Sequence, residues 1–467
     1  MEKFDLIIIG GGAGAFAAAI KANELKAKTA MINKGLPLGG TCVNVGCVPS
    51  KTLLYAGEVL HLAEHHGIPG IELEVKNFDF QKVVKDEISL VEHMRQEKYE
   101  KVLNNLEHVT NIEGRAKFTS ETEVGVNGER LTADKFILAT GSTANVPPIE
   151  GIKEAGYITH IEALKLDGQP KELVVIGGGV LALEFAQLFT RFGTKVTMLH
   201  RSDTIFRVGD KDLVKRLVEV LEKEGIVVKT NTPIQSVRKE GDKKVVTYEA
   251  GGKQEEISCD EILLAAGKTA NTDGLGLEKA KVKVNDRKSI AVNENFQTKN
   301  SNVFAVGDVA ALPLRLETTA GREGTLAAEN ALKDTKNTID YDTVPYTIFT
   351  DPQLAGVGLT EDEQMKRMNT CACRTVSFEH VPKAAILRRT EGLISMSIHP
   401  ETSEIMGVHI LSPLAGELIA EAMMLVKNKN TIDDVINSFP MFPTLSEAIK
   451  LVALSFTKDI SKMSCCV

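Results

Sequence analysis

One local pattern occurs twice in the sequence and limits the fold more than any other feature. The apolar runs 4–9 and 173–176 each lead into a glycine-rich G-x-G-x-x-A turn and an alanine-rich segment. The turn residues are Gly10, Gly12 and Ala15 in the first copy and Gly177, Gly179 and Ala182 in the second. Each copy predicts a buried strand, a tight turn and a helix whose N-terminus can hold a pyrophosphate. Two copies predict two Rossmann-like dinucleotide-binding domains, one for a retained and one for an exchanging cofactor.

The end of the second strand in each copy indicates which nucleotide it binds. In the first copy the strand ends at Asn33, where an acid would ordinarily accept hydrogen bonds from the ribose. In the second copy it ends at His200 and Arg201, and Arg207 follows six residues later. No acid stands at that position to repel a 2′-phosphate, and arginine offers planar, charge-assisted contacts. The sequence therefore favours NADPH over NADH, with a solvated basic loop as the alternative.

Two cysteines follow the first turn closely. Cys42 and Cys47 are separated by four residues and lie near Lys51 in the glycine-rich segment 39–51. We expect both sulfurs on adjacent turns at the start of one helix, where unpaired N–H groups and the helix dipole favour the thiolate. The alternative is a pair of buried, inert cysteines. The glycines and the preceding nucleotide motif favour a redox-active pair.

Residues 39–51 resemble the active-disulfide segment of the FAD-dependent pyridine nucleotide disulfide oxidoreductases, which include glutathione, lipoamide and mercuric reductases. Segments 114–116, 137–142 and 301–308 are also similar to that family. The resemblance implies FAD and NADPH as cofactors. For FAD it implies Gly10, Gly12, Ala15, Asn33, Gly40, Thr41, Lys51, Ala116, Thr140, Gly141, Asp308, Leu316 and Glu317. For NADPH it implies Gly177, Gly179, Ala182, Glu184, His200, Arg201, Arg207 and Gly267.

The same resemblance implies an α/β fold of three domains. An FAD-binding domain spans 1–146 and is completed by 272–342, an NADPH-binding domain spans 147–271, and an α+β dimerisation domain spans 343–467. It implies a homodimer with active sites at the interface. It also implies that Glu184 pairs with Lys51 beside the flavin. The alternative is that these two residues are only surface charge.

Two features near the C-terminus bear on the substrate. Family members that cleave organic disulfides have a histidine before the proline matched by Pro443, and it acts with a glutamate matched by Glu447 to protonate the leaving thiol. Here that position is Phe442, so such cleavage should be slow. The sequence also ends with the pair Cys465 and Cys466, which suits a soft, thiophilic cation. The alternative is a tail whose cysteines have no role.

Together these features resemble the mercuric reductases, in which Tyr99 matches a tyrosine that contacts the metal. The resemblance implies that NADPH reduces Hg(II) to Hg(0) through FAD and the Cys42/Cys47 pair. Small-molecule thiols would carry Hg(II), and Cys465 and Cys466 of the partner subunit would deliver it. The implied catalytic residues are Cys42, Cys47, Lys51, Glu184, Tyr99, Phe442 and Glu447, and the implied metal ligands are Cys42, Cys47, Cys465 and Cys466. A thioredoxin-reductase-like or other disulfide reductase and a non-enzymatic, metal-sequestering flavoprotein stay open as alternatives.

Composition limits the remaining possibilities. A net charge of −8 over 467 residues argues against a nucleic-acid partner, which normally needs a basic stripe. The apolar stretch 6–20 is too short to span a bilayer and follows acidic residues, so we expect no membrane partner. Seven cysteines in so long a chain indicate a reducing cytoplasm rather than a disulfide framework. We expect Cys371 and Cys373 to serve packing in a strand rather than to bind a metal.

Overall fold

Two sheets whose central strands are parallel carry the two glycine turns, and an antiparallel sheet follows them. The fold is described from a computed structural model in which residues 2–464 are placed. The predicted ligands Cys465 and Cys466 lie outside the described residues.

The first two stretches of the chain contain most of the strands. Residues 2–144 form β1 Glu2–Ile9, α1 Ala13–Glu24, β2 Thr29–Asn33, α2 Gly40–Val45, α3 Cys47–His65, α4 Phe80–Arg95, α5 Lys101–Asn104, β3 Val109–Glu113, β4 Lys117–Phe118, β5 Glu123–Val126, β6 Glu129–Leu138 and β7 Ser142–Ala144. Residues 152–270 form α6 Ile152–Ala155, α7 His160–Ala163, β8 Glu172–Ile176, α8 Val180–Arg191, β9 Lys195–Leu199, α9 Lys211–Lys223, β10 Val227–Lys229, β11 Ile234–Glu240, β12 Lys243–Ala250, β13 Lys253–Cys259, β14 Glu261–Leu264 and β15 Lys268–Ala270.

The last stretch adds one strand to the first sheet and then forms its own layer. Its elements are β16 Val303–Ala305, α10 Glu317–Lys333, β17 Tyr346–Ile348, β18 Gln353–Gly358, α11 Glu361–Met368, β19 Ala372–Ser377, α12 Pro382–Leu387, β20 Leu393–Ile398, β21 Ile405–Ser412, α13 Ala415–Lys427, α14 Ile432–Ile436 and α15 Glu447–Leu454. A π-helical segment, Gln96–Glu100, joins α4 to α5. Single 3-10 turns span Gly307–Val309, Tyr341–Thr343, Phe378–His380 and Ile460–Lys462.

The first sheet has the strand order β3-β2-β1-β6-β5-β4, and β16 also pairs with β6. Strands β1, β2, β3, β6 and β16 are parallel to their neighbours in the centre of this sheet. Leu6, Ile7 and Ile8 are fully buried, because helices cover both faces of a parallel sheet and its strands are apolar on both sides. The apolar run that precedes the first glycine turn is therefore the central strand.

The second sheet repeats this arrangement with the order β10-β9-β8-β14, all parallel. An antiparallel sheet, β11-β12-β13, packs beside it. Strands β7 and β15, which precede and follow the strands of these two sheets in the sequence, pair with each other. The carboxyl ends of β1 and β8 thus each lead into a glycine turn, which is the usual dinucleotide site in such sheets.

The C-terminal layer is a mixed α+β unit. Its five strands have the order β17-β18-β21-β20-β19 and are antiparallel throughout, and α13 and α15 pack against them. The predicted α/β fold with two dinucleotide-binding sheets and an α+β C-terminal part is confirmed. Within residues 2–464 no helix is both long enough and apolar enough to cross a bilayer.

Cys371 and Cys373 do not have the plain packing role expected from the sequence. Their sulfurs are bonded to each other at the beginning of β19, and both residues are half-buried. The strand lies at the edge of its sheet, so the pair is near the surface rather than in the core. Cys259, by contrast, is buried and forms no disulfide.

Candidate active site

Cys42 and Cys47 lie on either side of a break between two helices, whereas the sequence suggested one continuous helix. Cys42 belongs to α2 and Cys47 is the first residue of α3, with Gly46 between them. A Cβ on Gly46 would lie 2.8 Å from the carbonyl oxygen of Thr41, so glycine permits this close approach. The break places Cys47 at the N-terminus of a 19-residue helix, where the dipole stabilises a negative charge.

The two sulfurs are free thiols that share a hydrogen bond. The hydrogen bond from Cys42 lowers the pKa of Cys47 to about 7, and the positive charge of Lys51 acts in the same direction. The same hydrogen bond, together with burial, raises the pKa of Cys42. Near neutral pH the pair therefore presents a thiolate on Cys47 and a thiol on Cys42.

Lys51 and Glu184 form the ion pair expected from the sequence. The Nζ atom of Lys51 lies 2.8 Å from Oε2 of Glu184, whose side chain is fully buried. The other carboxylate oxygen of Glu184 accepts a hydrogen bond from the backbone N–H of Phe349 at 2.9 Å. The ring of Phe349 also lies under Nζ of Lys51, 4.8 Å away from it. This burial rules out mere surface charge, and the pair joins α3, α8 and the segment after β17.

Tyr99 lies next to the two cysteines. It belongs to the π-helical segment Gln96–Glu100, and its ring packs edge-on against Phe16 with 5.0 Å between ring centroids. A Cβ on Gly39 would lie 3.0 Å from the tyrosine ring, so the ring covers the start of the cysteine segment. Burial raises the pKa of Tyr99 to about 12, and the negative charges of Glu317 and Cys47 act in the same direction. The side chain is therefore a neutral phenol beside the sulfurs.

The first glycine turn fits a dinucleotide diphosphate. Gly12 is the N-cap of α1, and Gly40 approaches it so closely that a Cβ on Gly40 would lie 2.6 Å from the Cα of Gly12. A Cβ on Gly11 would lie 2.4 Å from the amide group of Asn33, so that side chain rests on the turn. Glycine backbones thus border the N-terminus of α1 and leave its N–H groups accessible to an anion.

The second glycine turn has the same geometry. Gly179 is the N-cap of α8 with φ −97° and ψ −172°, close to the −94° and −170° of Gly12. A Cβ on Gly178 would lie 2.7 Å from Nδ1 of His200, which matches the relation of Gly11 to Asn33. A Cβ on Gly179 would have no atom of residues 2–464 within 4 Å. The open side of this turn fits a second dinucleotide.

Arg201 and Arg207 are exposed in the loop after β9. The residue directly after that strand is not acidic, as predicted, but the loop does contain an acid. Oδ1 of Asp203 lies 3.2 Å from Nη2 of Arg207. A 2′-phosphate would have to replace this partner, which costs little, because an exposed ion pair contributes about 0–1 kcal/mol. His200 beside the turn is held neutral, since burial lowers the pKa of its imidazole.

Two segments expected at the flavin, 137–142 and 301–308, are joined by a side-chain hydrogen bond. Asp308 accepts a hydrogen bond from the hydroxyl of Ser142, and the hydroxyl of Thr140 donates to the carbonyl of Asn271 at 2.8 Å. Gly141 follows with φ +67°, a conformation that favours glycine. Ala116 is buried just before β4, in the core of the first sheet.

Helix α10 begins at Glu317, one of the residues implied at the FAD site. Leu316 is its N-cap residue, and the hydroxyl of Thr319 accepts from the backbone N–H of Leu316 at 3.3 Å. The negative charge of Glu317 contributes to the raised pKa of Cys42 and opposes the lowering of the pKa of Cys47. Glu317, the first residue of this 17-residue helix, is therefore one of the charges that act on the two cysteines.

Sequence reasoning missed Lys268 and Phe349. Burial lowers the pKa of Lys268, while the charges of Asp308 and Cys47 act in the opposite direction, so its amine belongs to the same group of charges. Its position directly after Gly267, a predicted cofactor residue, was the available signal. Phe349 contacts Glu184 through its backbone N–H. Every residue except proline has this group, so the sequence gives no sign of the contact.

Phe442 and Glu447 lie outside this group of residues. Phe442 is 49% exposed and precedes a cis proline, Pro443. Glu447 is buried and accepts a hydrogen bond from the backbone N–H of Thr444 at 3.2 Å, and burial raises its pKa. Within the described part of the chain, no hydrogen bond or salt bridge joins either residue to Cys42 or Cys47.

Comparison with known proteins identifies the family. The pyridine nucleotide-disulphide oxidoreductase family matches residues 4–335, and its dimerisation domain matches residues 344–453. Mercuric reductase of Staphylococcus aureus is 38% identical over 463 residues, which cover 99% of this chain and 84% of that protein. Dihydrolipoyl dehydrogenase of Thermus scotoductus is 38% identical over 464 residues, which cover 98% of each chain.

A solved structure shows the same fold. The HOCl-induced flavoprotein disulfide reductase RclA from Escherichia coli superposes with a TM-score of 0.86 at 24% sequence identity. The match covers 97% of this chain and 100% of that chain. From its sequence matches over nearly the whole length, the chain belongs to the pyridine nucleotide-disulphide oxidoreductase family.

Proposed function

We propose that this enzyme reduces Hg(II) to Hg(0) with NADPH as electron donor, through FAD and the Cys42/Cys47 pair. The family uses FAD and NADPH, and the two glycine turns have the shape that such dinucleotides need. Support for the substrate comes from the mercuric reductases, which are similar to this chain over nearly its whole length. A soft cation also suits a site that holds one thiolate and one thiol.

The observation that carries the choice of substrate is the surroundings of Phe442. Reductive cleavage of an organic disulfide needs a proton donor for the leaving thiolate. At this position the side chain is an apolar ring, and the carboxylate of Glu447 is engaged by a backbone N–H instead of an imidazole. A metal that binds to thiols displaces their protons, so this reaction itself supplies protons and needs no such donor. The proposed substrate therefore matches the residue that departs from the disulfide-cleaving pattern.

Each residue around the two cysteines has a separate role in the proposed reaction. A bound flavin supplies two-electron transfer between the nicotinamide and the thiols. Lys51, fixed by the buried carboxylate of Glu184, keeps a positive charge close to Cys47 and favours its thiolate. Cys42 is the exchange thiol, and Tyr99 holds a phenol beside it. Incoming Hg(II) exchanges its two external thiolate ligands for the two sulfurs, and one of the released thiolates takes the proton of Cys42.

We further propose that Cys465 and Cys466 of the partner subunit deliver the metal. The family places a dimerisation domain at residues 344–453, and the protein is a homodimer. The support for delivery is the vicinal cysteine pair at the end of the sequence, together with the exposed apolar side chains of Phe439, Met441 and Phe442. We propose that the partner subunit covers this apolar segment in the dimer. The tail of one subunit would then lie near the Cys42/Cys47 pair of the other. Small thiols would carry Hg(II) to the tail.

The domain boundaries proposed from the sequence are 1–146 with 272–342, 147–271, and 343–467. They are supported by the pairing of β7 with β15, because these strands end at residue 144 and begin at residue 268, next to the first two boundaries. We also propose a cytoplasmic location, since free thiols at Cys42 and Cys47 persist in a reducing compartment.

One assay tests the proposed reaction. NADPH oxidation should depend on Hg(II), mercury should leave the solution as vapour, and the variant Cys42→Ser/Cys47→Ser should show neither. The similarity to a dihydrolipoyl dehydrogenase makes disulfide reduction the competing function. NADPH consumption with glutathione disulfide, oxidised lipoamide or oxidised thioredoxin, without mercury release, would support that competitor and contradict our proposal.

A further inference from the structure

One group of metal-ligating side chains stands apart from the candidate active site. Glu361, Cys371 and Cys373 place a carboxylate oxygen and two sulfur atoms within 4.8 Å of one another. Glu361 is the first residue of α11, and the cysteines lie at the start of edge strand β19. None of the roles assigned above uses these residues. Their sulfurs are at the surface layer, where a dissolved ion can reach them.

A buried glutamine fixes one side of this group. The side chain of Gln364 is fully buried, and its Nε2 donates to the carbonyl of Ile398 at 2.6 Å. That bond turns Oε1 of Gln364 toward Sγ of Cys373, 3.5 Å away. The sulfur of Met406 lies 3.3 Å from the same Nε2. The cluster is therefore backed by an oriented amide oxygen, with a thioether nearby.

Charge and strand geometry keep the group favourable for a cation. Asp362 and Glu363 follow Glu361 in the first turn of α11, and Asp362 forms an ion pair with Lys211 at 2.7 Å, so three carboxylates and one ammonium group lie at this corner. Arg374 is the nearest basic neighbour in sequence, but adjacent residues of a strand point to opposite faces. Its guanidinium carbon lies 5.4 Å from the ring centroid of Phe456. Its guanidinium is occupied by that ring and by the backbone carbonyl of Cys373, to which Nη1 donates at 2.9 Å.

We propose that Cys371, Cys373 and Glu361 form a second metal site, which binds one soft divalent cation when the two cysteines are reduced. A small-molecule thiol or phosphine breaks the sulfur–sulfur bond by giving it two electrons, and two protons complete the thiols. The cation then replaces both thiol protons and forms two metal–sulfur bonds, while the carboxylate of Glu361 supplies an oxygen ligand. Two thiolates select a thiophilic ion over Mg²⁺ or Ca²⁺.

The test uses Cd(II) as the probe and the FAD-containing enzyme. In a background variant, Cys42, Cys47, Cys465 and Cys466 are all replaced by serine, which leaves Cys259, Cys371 and Cys373. After reduction with a phosphine and removal of the reagent, this protein should bind one Cd(II) per chain and show ultraviolet sulfur-to-cadmium absorption. Adding Cys371→Ser/Cys373→Ser should abolish both signals. Bound FAD and circular dichroism confirm that each variant is folded.

Matched substitutions test the third ligand. Glu361→Gln should weaken Cd(II) binding about tenfold or more, by analogy with losses at residues that support metal sites. Asp362→Asn removes the same charge from the same turn and should change binding less. Absence of Cd(II) from the reduced background variant, or binding that survives Cys371→Ser/Cys373→Ser, overturns the proposal. Equal weakening by both acid substitutions overturns the role of Glu361.

This inference does not depend on the proposed Hg(II) reduction, because the background variant lacks the catalytic cysteines. In the otherwise intact enzyme, Cys371→Ser/Cys373→Ser should leave NADPH-dependent turnover unchanged. If the enzyme with all its cysteines does not reduce Hg(II), the proposed function is contradicted and the second site is not. If the reduced background variant does not bind Cd(II), the second site is contradicted and the proposed function is not.

Discussion

Cys47 owes its acidity to neighbours that can be removed one at a time. Its pKa of about 7 predicts that alkylation of the reduced enzyme by iodoacetamide slows as the pH falls through about 7, because the thiol form does not react. The hydrogen bond from Cys42 is the larger cause and the charge of Lys51 is the smaller one. Cys42→Ala should therefore shift the midpoint upward more than Lys51→Met does. Peptide mass spectrometry after timed alkylation measures the rates.

The control for this titration is Lys51→Arg. Arginine keeps the positive charge near Cys47 and the pairing with Glu184, so the midpoint should stay close to that of the unmodified enzyme. An unchanged midpoint in both Cys42→Ala and Lys51→Met would show that the helix N-terminus alone sets the acidity of Cys47.

Arg201 and Arg207 are predicted to select NADPH at the level of single side chains. Arg201→Ala and Arg207→Ala should each raise the KM for NADPH about tenfold or more, since a hydrogen bond to a charged group is worth about 1.5–3 kcal/mol. The KM for NADH should hardly change, because that nucleotide lacks the 2′-phosphate. Arg216→Ala, an exposed arginine of α9, serves as the control. Equal increases in the KM for NADPH and for NADH would show that these arginines do not recognise the 2′-phosphate and belong only to a solvated loop.

The turn before each Rossmann helix allows a sharp prediction about an element. At Gly179 a Cβ meets no atom of residues 2–464 within 4 Å, and the backbone is extended, so Gly179→Ala should fold normally. The added methyl group occupies the space proposed for the diphosphate and should weaken NADPH binding about tenfold, or about 1.4 kcal/mol. Stopped-flow reduction by NADPH measures this loss, and the FAD content should stay normal.

Gly177→Ala is the contrasting variant for this turn. Its Cβ would lie 2.3 Å from the carbonyl oxygen of Ala265, and its φ is +148°, so the strand end itself must move. Loss of FAD or of thermal stability is expected there and not in Gly179→Ala. If both variants lose stability equally, the open side of Gly179 is not a ligand space.

Elements were predictable from the sequence where a short-range pattern determines them. The strand, turn and helix around Gly10 and Gly177 follow from apolar runs and glycine spacing, and the structure has them in both copies. The segment around Cys42 was misjudged as one helix, because the close approach of Gly46 to Thr41 is a contact that spacing does not reveal. The disulfide between Cys371 and Cys373 was missed for the same reason.

The whole molecule depends on contacts that join distant segments. Glu184 is fully buried and holds Lys51 with one oxygen and the backbone of Phe349 with the other, so three parts of the chain meet at one carboxylate. The ion pair could be predicted from the family resemblance, whereas the contact to Phe349 could not, because a backbone N–H leaves no mark in the sequence. Phe442 and Glu447 stand outside this junction, and under the proposed arrangement a second chain would bring them to it.

Delivery between subunits can be tested with mixed dimers. One chain carries Cys42→Ser/Cys47→Ser and keeps its tail, and the other keeps Cys42 and Cys47 but carries Cys465→Ala/Cys466→Ala. If the tail acts across the interface, the mixed dimer contains one complete site, formed by the intact pair of one chain and the tail of the other. Turnover of thiol-bound Hg(II) should then exceed that of either parent dimer. If the tail acts within its own chain, the mixed dimer has no complete site and gains nothing.

The control for the mixed dimers is a second form of the substrate. Small halide complexes of Hg(II) hold the metal weakly and should reach Cys42 and Cys47 without a tail, because soft thiolates displace hard or weak ligands. The parent dimer that lacks Cys465 and Cys466 should therefore reduce halide-bound Hg(II) faster than thiol-bound Hg(II). If loss of the tail cysteines lowers the rate of reduction of both forms of Hg(II) equally, the tail does not deliver the metal. The cysteine pair of the helix break would then take its metal directly from solution.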